Sequence, residues 1–300
     1  MILSVFVQQE GTICDFSGKE SWVILTPIEQ SIKRKIEAVG TPLKDWDIQI
    51  YRGVLTGCNE AFIISTEKRN EILSNCQSED ERKRTEELIR PILRGRDIKR
   101  YSYDWAELWL IATFPSRHYD IEQYPAVKEY LLSFGMERLE QTGKTYIING
   151  ETVKARKKTN NKWFETQDSI SYWEDFSQPK IVWGNLNLQA SFALVNEGSF
   201  INAPSPMIVP ASKYLLAVLN SKVADYYIRQ LGVTRNGGYF EYKPMFVEKF
   251  PIPNNCCEKS MRILASLVDT KDETRIDKEV YLLYGLTDEE INFIEFQGTR

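Results

Sequence analysis

The apolar residues of this chain fall into short runs of two different periods, and that alternation limits what the chain can fold into. LWLIATF, PKIVWGN, SFALV and PMIVPA are brief and rich in branched and aromatic residues, which suits strands. Other segments repeat at helical spacing. In SKYLLAVLNSKVADYYIRQLG the apolar positions are Leu215, Leu216, Val218, Leu219, Val223, Tyr226 and Tyr227, and the run ends at Gly232. No apolar run approaches the roughly 20 residues that span a bilayer. Met1 to Val7, though apolar, lacks the basic start and small-residue cleavage pattern of a signal peptide. The pattern predicts an α+β protein with a mixed sheet, in the cytoplasm, with no membrane partner.

Along the chain, SWVILTPIE reads as a strand and IEQSIKRKIEAVG as a short amphipathic helix stopped at Gly40. WDIQIYRGVLTGCNEAFIIS alternates, with Gly53 and Gly57 marking a turn between two strands and Thr56 and Asn59 able to cap it. SEDERKRTEELIRPIL opens with Ser78 and an acidic first turn, as a helix does, and YPAVKEYLLSFGMERLEQTG predicts a helix from Pro125. VKARKKTNNKWF falls between the strand-like TYIING and the polar TQDSISYWEDF, as a loop or irregular hairpin. After FPIPNN the chain reads as two or three short helices with an acidic surface. This gives a body over residues 1–253 and a helical tail over 254–300.

Charge is uneven. The formal net charge of the whole is -4, yet Lys144 to Lys162 holds six basic residues and one acidic, and Arg82 to Arg100 holds eight basic and three acidic. Tyr101, Tyr103, Trp105 and Trp109 follow the second patch, with Trp105 and Trp109 read as core; Trp163 and Phe164 close the first. Cations beside aromatic rings and amides suit a nucleic-acid surface, because cations neutralise phosphate while Arg and Asn can pair with base edges. Other chemistries have little support. His118 is the single histidine and reads as a surface or capping residue, and no phosphate loop, dinucleotide fingerprint or H-E-x-x-H helix is present. The five cysteines are scattered, without redox or zinc spacing, and read as reduced thiols.

Specific strings then suggest a family. YRGVLTGCNEAFII, LIRPILRGRDIKRY, ELWLIATF, YPAVKEYL, QPKIVWGN, YLLAVLNSKVADYYI and EKFPIP occur in order, and VYLLYGLTDEEINFIE closes the chain. Together they resemble the TaqI-like C-terminal specificity domain of restriction-modification enzymes, especially the fused type IIG kind. The resemblance implies a target recognition domain that reads a short sequence in double-stranded DNA and directs an adenine methyltransferase, often with a nuclease, in cis or in trans. It places S-adenosylmethionine and Mg²⁺ in those associated catalytic domains and no cofactor in this chain. The N-P-P-Y type motif and the glycine-bearing cofactor loop of the methyltransferase are absent from the sequence. The expectation is therefore a non-catalytic specificity component, as the C-terminal part of a larger enzyme.

Candidate DNA contacts follow by residue type. Lys154, Lys157, Lys158 and Lys162 would neutralise phosphates, while Arg156, Asn160 and Asn161 would read base edges. Arg94 and Arg96 offer fork-like donors, with Asp97 as an internal rival partner. Asn187 in NLNLQ and Arg235 and Asn236 before a glycine pair complete the set. Two other functions stay open. Asp168, Glu174 and Asp175 could hold Mg²⁺ in a nuclease, and the acidic tail could make the chain a protein-interaction module that docks a methyltransferase.

Overall fold

Four short strands form an antiparallel sheet in the order Phe192–Val195, Lys180–Trp183, Pro206–Val209, Gln49–Arg52. The computed structural model that shows this describes residues 25–196, 198–254 and 256–297. Phe192–Val195, Lys180–Trp183 and Pro206–Val209 are buried on both faces and read as largely apolar runs, while the edge strand Gln49–Arg52 is partly exposed. Ile181 and Trp183 enter one core beside their cross-strand partners Ile208 and Phe192. Val182 enters the other beside Met207 and Ala193. Lys180 is fully buried in the same strand, and its ammonium donates to the carbonyls of Phe176, Gln178 and Asn196 at 2.8, 2.9 and 3.3 Å.

The second core lies under a mixed sheet in the order Phe200–Ile201, Ile89–Leu93, Leu108–Ile111, Ile63–Ser65, parallel in its first pair and antiparallel in the others. The α+β architecture with mixed pairing is as the sequence predicts, and several boundaries differ. The strands Gln49–Arg52 and Ile63–Ser65 do not form a hairpin; they join different sheets. Between them Gly53 passes so close to Ile201 that a Cβ would stand 2.4 Å from its carbonyl oxygen. IRPIL is a strand and not the end of the preceding helix Glu79–Leu88, since Pro91 restricts Arg90 to extended backbone. Trp105 is 39% exposed and Trp109 half-buried, so this pair sits at the rim of the core.

The first core collects helices. Pro27–Val39 starts with a capping box between Thr26 and Glu29 and buries Ile32 and Ile36 one turn apart. Of the strand predicted over SWVILTPIE, residues 21–24 lie outside the described residues and Pro27 to Glu29 form the first helical turn. The predicted helix over 213–231 is two helices, Lys213–Leu219 and Lys222–Leu231. The break is chemical: the Asn220 side chain exchanges two hydrogen bonds with the Phe192 backbone, both at 2.9 Å, and Ser221 caps the next helix. The tail forms the helices Glu258–Thr270, Glu273–Leu283 and Asp288–Gln297. Its Leu264, Leu267, Val280, Tyr284 and Ile294 pack into this same core. Among the described residues no helix is long and apolar enough to cross a membrane.

Glu290 fastens the helix Asp288–Gln297 to the helix Pro27–Val39. Its carboxylate accepts from Lys35 Nζ and Ser31 Oγ, both at 2.7 Å, and from Thr287 N at 2.7 Å. Burial pushes the carboxyl up, and these three donors outweigh it and hold it down to about 2. A carboxyl depressed by folding contributes stability that is present above its ordinary value of about 4.3 and is lost as pH falls toward its folded value. The urea midpoint should therefore fall as pH is lowered from about 4.5 to about 2, and Glu290→Gln should remove part of that fall while costing about 1–3 kcal/mol at neutral pH. A wild-type and variant pair with the same pH profile would contradict this assignment.

Candidate nucleic-acid interface

The basic stretch begins on a two-stranded ribbon, Thr145–Ile148 with Glu151–Lys154, turned at Asn149 and Gly150. Asn-Gly at such a turn suits the left-handed backbone that a tight hairpin requires. Lys154 at its end and Lys157, Lys158, Asn160 and Lys162 beyond it are exposed. None of these lysines forms an ion pair with a described residue. Their uncompensated charge is available to phosphate.

Arg156 is different. It is 4% exposed, and its guanidinium donates to the carbonyls of Leu139 (2.8 Å), Thr56 (2.9 Å), Glu165 (2.7 Å) and Trp163 (2.5 Å), with the Phe62 ring centroid 5.0 Å away. Burial pushes its pKa down to about 10, which leaves it charged at neutral pH. The expectation that Arg156 reads a base gives way to a bolt that ties the basic loop to the Val54–Asn59 turn. Asn161 is also held inward: its Nδ2 donates to the Gln167 carbonyl at 2.9 Å and the Thr166 carbonyl at 3.3 Å. Cation density in the sequence marks both kinds of residue alike, because burial is what separates them.

A cleft of about 850 Å³ brings together three of the remaining candidates, Arg94, Arg96 and Asn187, and leaves Arg235 and Asn236 outside its lining. Arg94 and Arg96 come from the turn after Ile89–Leu93, Asn187 from the strand Leu186–Asn187, and Tyr239 from the strand that pairs with it. The close approach has a cause at Gly95, where a Cβ would meet Ser205 Oγ at 2.7 Å. Arg94 is clamped on Asp97 by two side-chain bonds of 2.9 and 2.7 Å. Burial raises the Asp97 carboxyl, and Arg94 outweighs it and keeps the group below the usual carboxylate range. Arg96 and Lys99 are exposed along the rim.

Asn187 Nδ2 is turned back to the Gly184 carbonyl at 2.8 Å. The residues around it project outward: Leu186 is 52% and Leu188 55% exposed, and Gln189 is exposed. These apolar side chains were not among the residues marked by charge, yet the alternation of leucine and amide in NLNLQ is a strand period that puts leucine on an open face. Arg235 is paired, with Nε 2.6 Å from Glu241 Oε1, while Asn236 stands exposed at the turn. Of the carboxylates considered for metal, Asp168 pairs with Arg52 at 2.5 Å and Asp175 accepts from Gln178 at 3.2 Å. Among the described residues no three His, Cys, Asp or Glu side chains are placed to hold a metal ion. His118 is exposed and ends a short turn at Pro115–Arg117.

The sequence profile of the TaqI-like C-terminal specificity domain matches residues 90–252, and the chain belongs to that family. Among curated proteins it is 22% identical over 96% of its length to the type II methyltransferase M.XhoI of Xanthomonas vasicola, covering 49% of that protein. It is 23% identical over 91% of its length to the type II methyltransferase M.PaeR7I of Pseudomonas aeruginosa, covering 44% of it. The chain thus spans about half the length of these relatives. In fold it is similar to the type IIL restriction-modification enzyme MmeI in complex with DNA, with a TM-score of 0.55 and 14% identity over 85% of this chain and 36% of that one. It is similar also to the type IIG restriction endonuclease BpuSI, with a TM-score of 0.51 and 12% identity over 92% of this chain and 34% of that one.

Replacing Arg156 by Gln leaves several buried carbonyls without donors and should cost about 3 kcal/mol or more in urea unfolding, whereas Lys157→Gln on the open side should cost less than about 0.5 kcal/mol. Equal effects from the two substitutions would contradict the division between bolt and surface.

Proposed function

We propose that this chain is the DNA-reading part of a type II restriction-modification system, binding duplex DNA in sequence-specific fashion and directing an adenine methyltransferase, with a nuclease where the system also cleaves. One observation carries the reading: a cleft of mixed polar and apolar lining where Arg96, Lys99 and the Leu186–Gln189 segment meet, with side chains open to solvent. Amides and arginines can pair with base edges, and exposed leucines can pack on thymine methyl groups. Lys154, Lys157, Lys158 and Lys162 act as the phosphate-binding flank, which carries affinity without sequence information. The flank and the cleft are joined through two hydrogen bonds, since Arg156 holds the Thr56 carbonyl and the Thr56 hydroxyl donates to Asn59, which lines the cleft. The family membership and the DNA-bound state of the MmeI structure support the same reading.

The methyl donor and any Mg²⁺ belong, on this reading, to a catalytic part that corresponds to the portion of the relatives this chain does not span. The tail is the proposed contact to that part. Leu282 is 74% exposed on a helix whose opposite side enters the core, and the tail from Glu258 onward holds ten acidic and six basic residues.

Incubating the chain with random duplex DNA near physiological salt and sequencing what stays bound should enrich a short motif. Removing the four lysines should weaken binding to every sequence and flatten the salt dependence by about 1 in log–log slope for each phosphate that no longer meets a cation. Arg96→Gln should instead relax one position of the motif at about 1–3 kcal/mol. No retention of DNA, together with capture of a methyltransferase through the tail, would favour the interaction module.

A further inference from the structure

The segment from Asn185 to Ala190 makes only two ladder pairs, Leu186 with Glu241 and Asn187 with Phe240. A stretch this short is weakly fixed by its ladder, and the helix Lys222–Leu231 supplies the rest. Asp225 Oδ1 accepts from the Ala190 amide at 2.6 Å and from the Tyr242 hydroxyl, while Oδ2 lies 3.0 Å from Arg229 Nε. Arg229 Nη2 donates to the Leu188 carbonyl at 2.5 Å, and its guanidinium lies 4.1 Å from the Phe240 ring centroid. The Tyr242 amide donates to the Asn185 carbonyl at 2.8 Å. Asp225 is 8% exposed and Tyr242 fully buried.

A helical Asp and Arg four residues apart can satisfy each other on their own helix. Here both reach beyond it to the backbone of one neighbouring segment, and the side chains of Leu186 and Leu188 stay open. Backbone fixed by buried groups with side chains outward is what a recognition surface needs, because placement errors of an ångström lose discrimination. We infer that Asp225 and Arg229 are positioning residues that set the register of the Asn185–Gln189 segment against the bases, an inference that rests on the DNA-reading function above. Neither side chain need touch DNA to act in this way.

The test uses the full chain with Arg229→Gln and Arg229→Lys. In Arg229→Gln the ratio of affinities for the selected motif and its single-base variants should fall about tenfold at one or two adjacent positions, within the range that single mismatches span. Amide exchange should quicken over residues 185–190 while the helix Lys222–Leu231 keeps its protection. Arg229→Lys should restore part of both, since an ammonium still meets Asp225 but lacks the fork. A ratio within about twofold of wild type overturns the inference. So does exchange that quickens across the whole helix, which marks a role in folding alone. If the wild-type chain enriches no motif, the DNA-reading function fails, and exchange over 185–190 decides the clamp separately: unchanged exchange overturns it and quickened exchange supports it.

Discussion

The structure depends on one strand that is buried on both faces. Lys180–Trp183 divides the two cores, and because side chains alternate along a strand, a slip of one residue would send Trp183 and Ile181 into the wrong core and displace the Lys180 ammonium from its carbonyl partners. That register reaches the candidate interface directly. The chain leaves the sheet at Trp183, passes Gly184, and becomes the Asn185–Gln189 segment; Trp183 Nε1 also holds the Tyr242 carbonyl at 2.6 Å. The interior of the protein thus sets where its cleft lies.

The basic loop shows how one short stretch divides its labour by depth. Arg156 turns inward and bonds four carbonyls, while Lys154, Lys157 and Lys158 on either side face water. A guanidinium suits the buried position because its donors spread in a planar fork, and a compact ammonium suits the surface because it remains hydrated until phosphate displaces water. The same logic recurs at Arg94, locked on Asp97, and Arg229, locked on Asp225, against the open Arg96. Arginine count alone is therefore a poor guide to an interface.

Much of the fold was legible in the sequence. PKIVWGN, SFALV and PMIVPA read as strands and are strands of one sheet, and the ordered family strings resemble the TaqI-like specificity domain family to which the chain belongs. What local pattern could not show was long-range use of polar side chains. Asn220 looks like one more helical residue until its amide is seen to bond Phe192, which ends the helix. Pro91 is a local sign that the helix stops before it, while the pairing with Trp109 that makes this run a strand is long-range. Charge marked lysines that the structure leaves exposed and passed over the leucines, because exposure of Leu186 and Leu188 follows from the edge position of their segment and not from their chemistry.

The most direct test is photo-cross-linking of the chain to random duplex DNA carrying 5-iodouracil in place of thymine, with the attached peptides mapped. Cross-links within residues 185–189 or at Tyr239 are the predicted result, since these residues line the cleft. Cross-links confined to the tail after Glu258, with none in the cleft, would contradict the account.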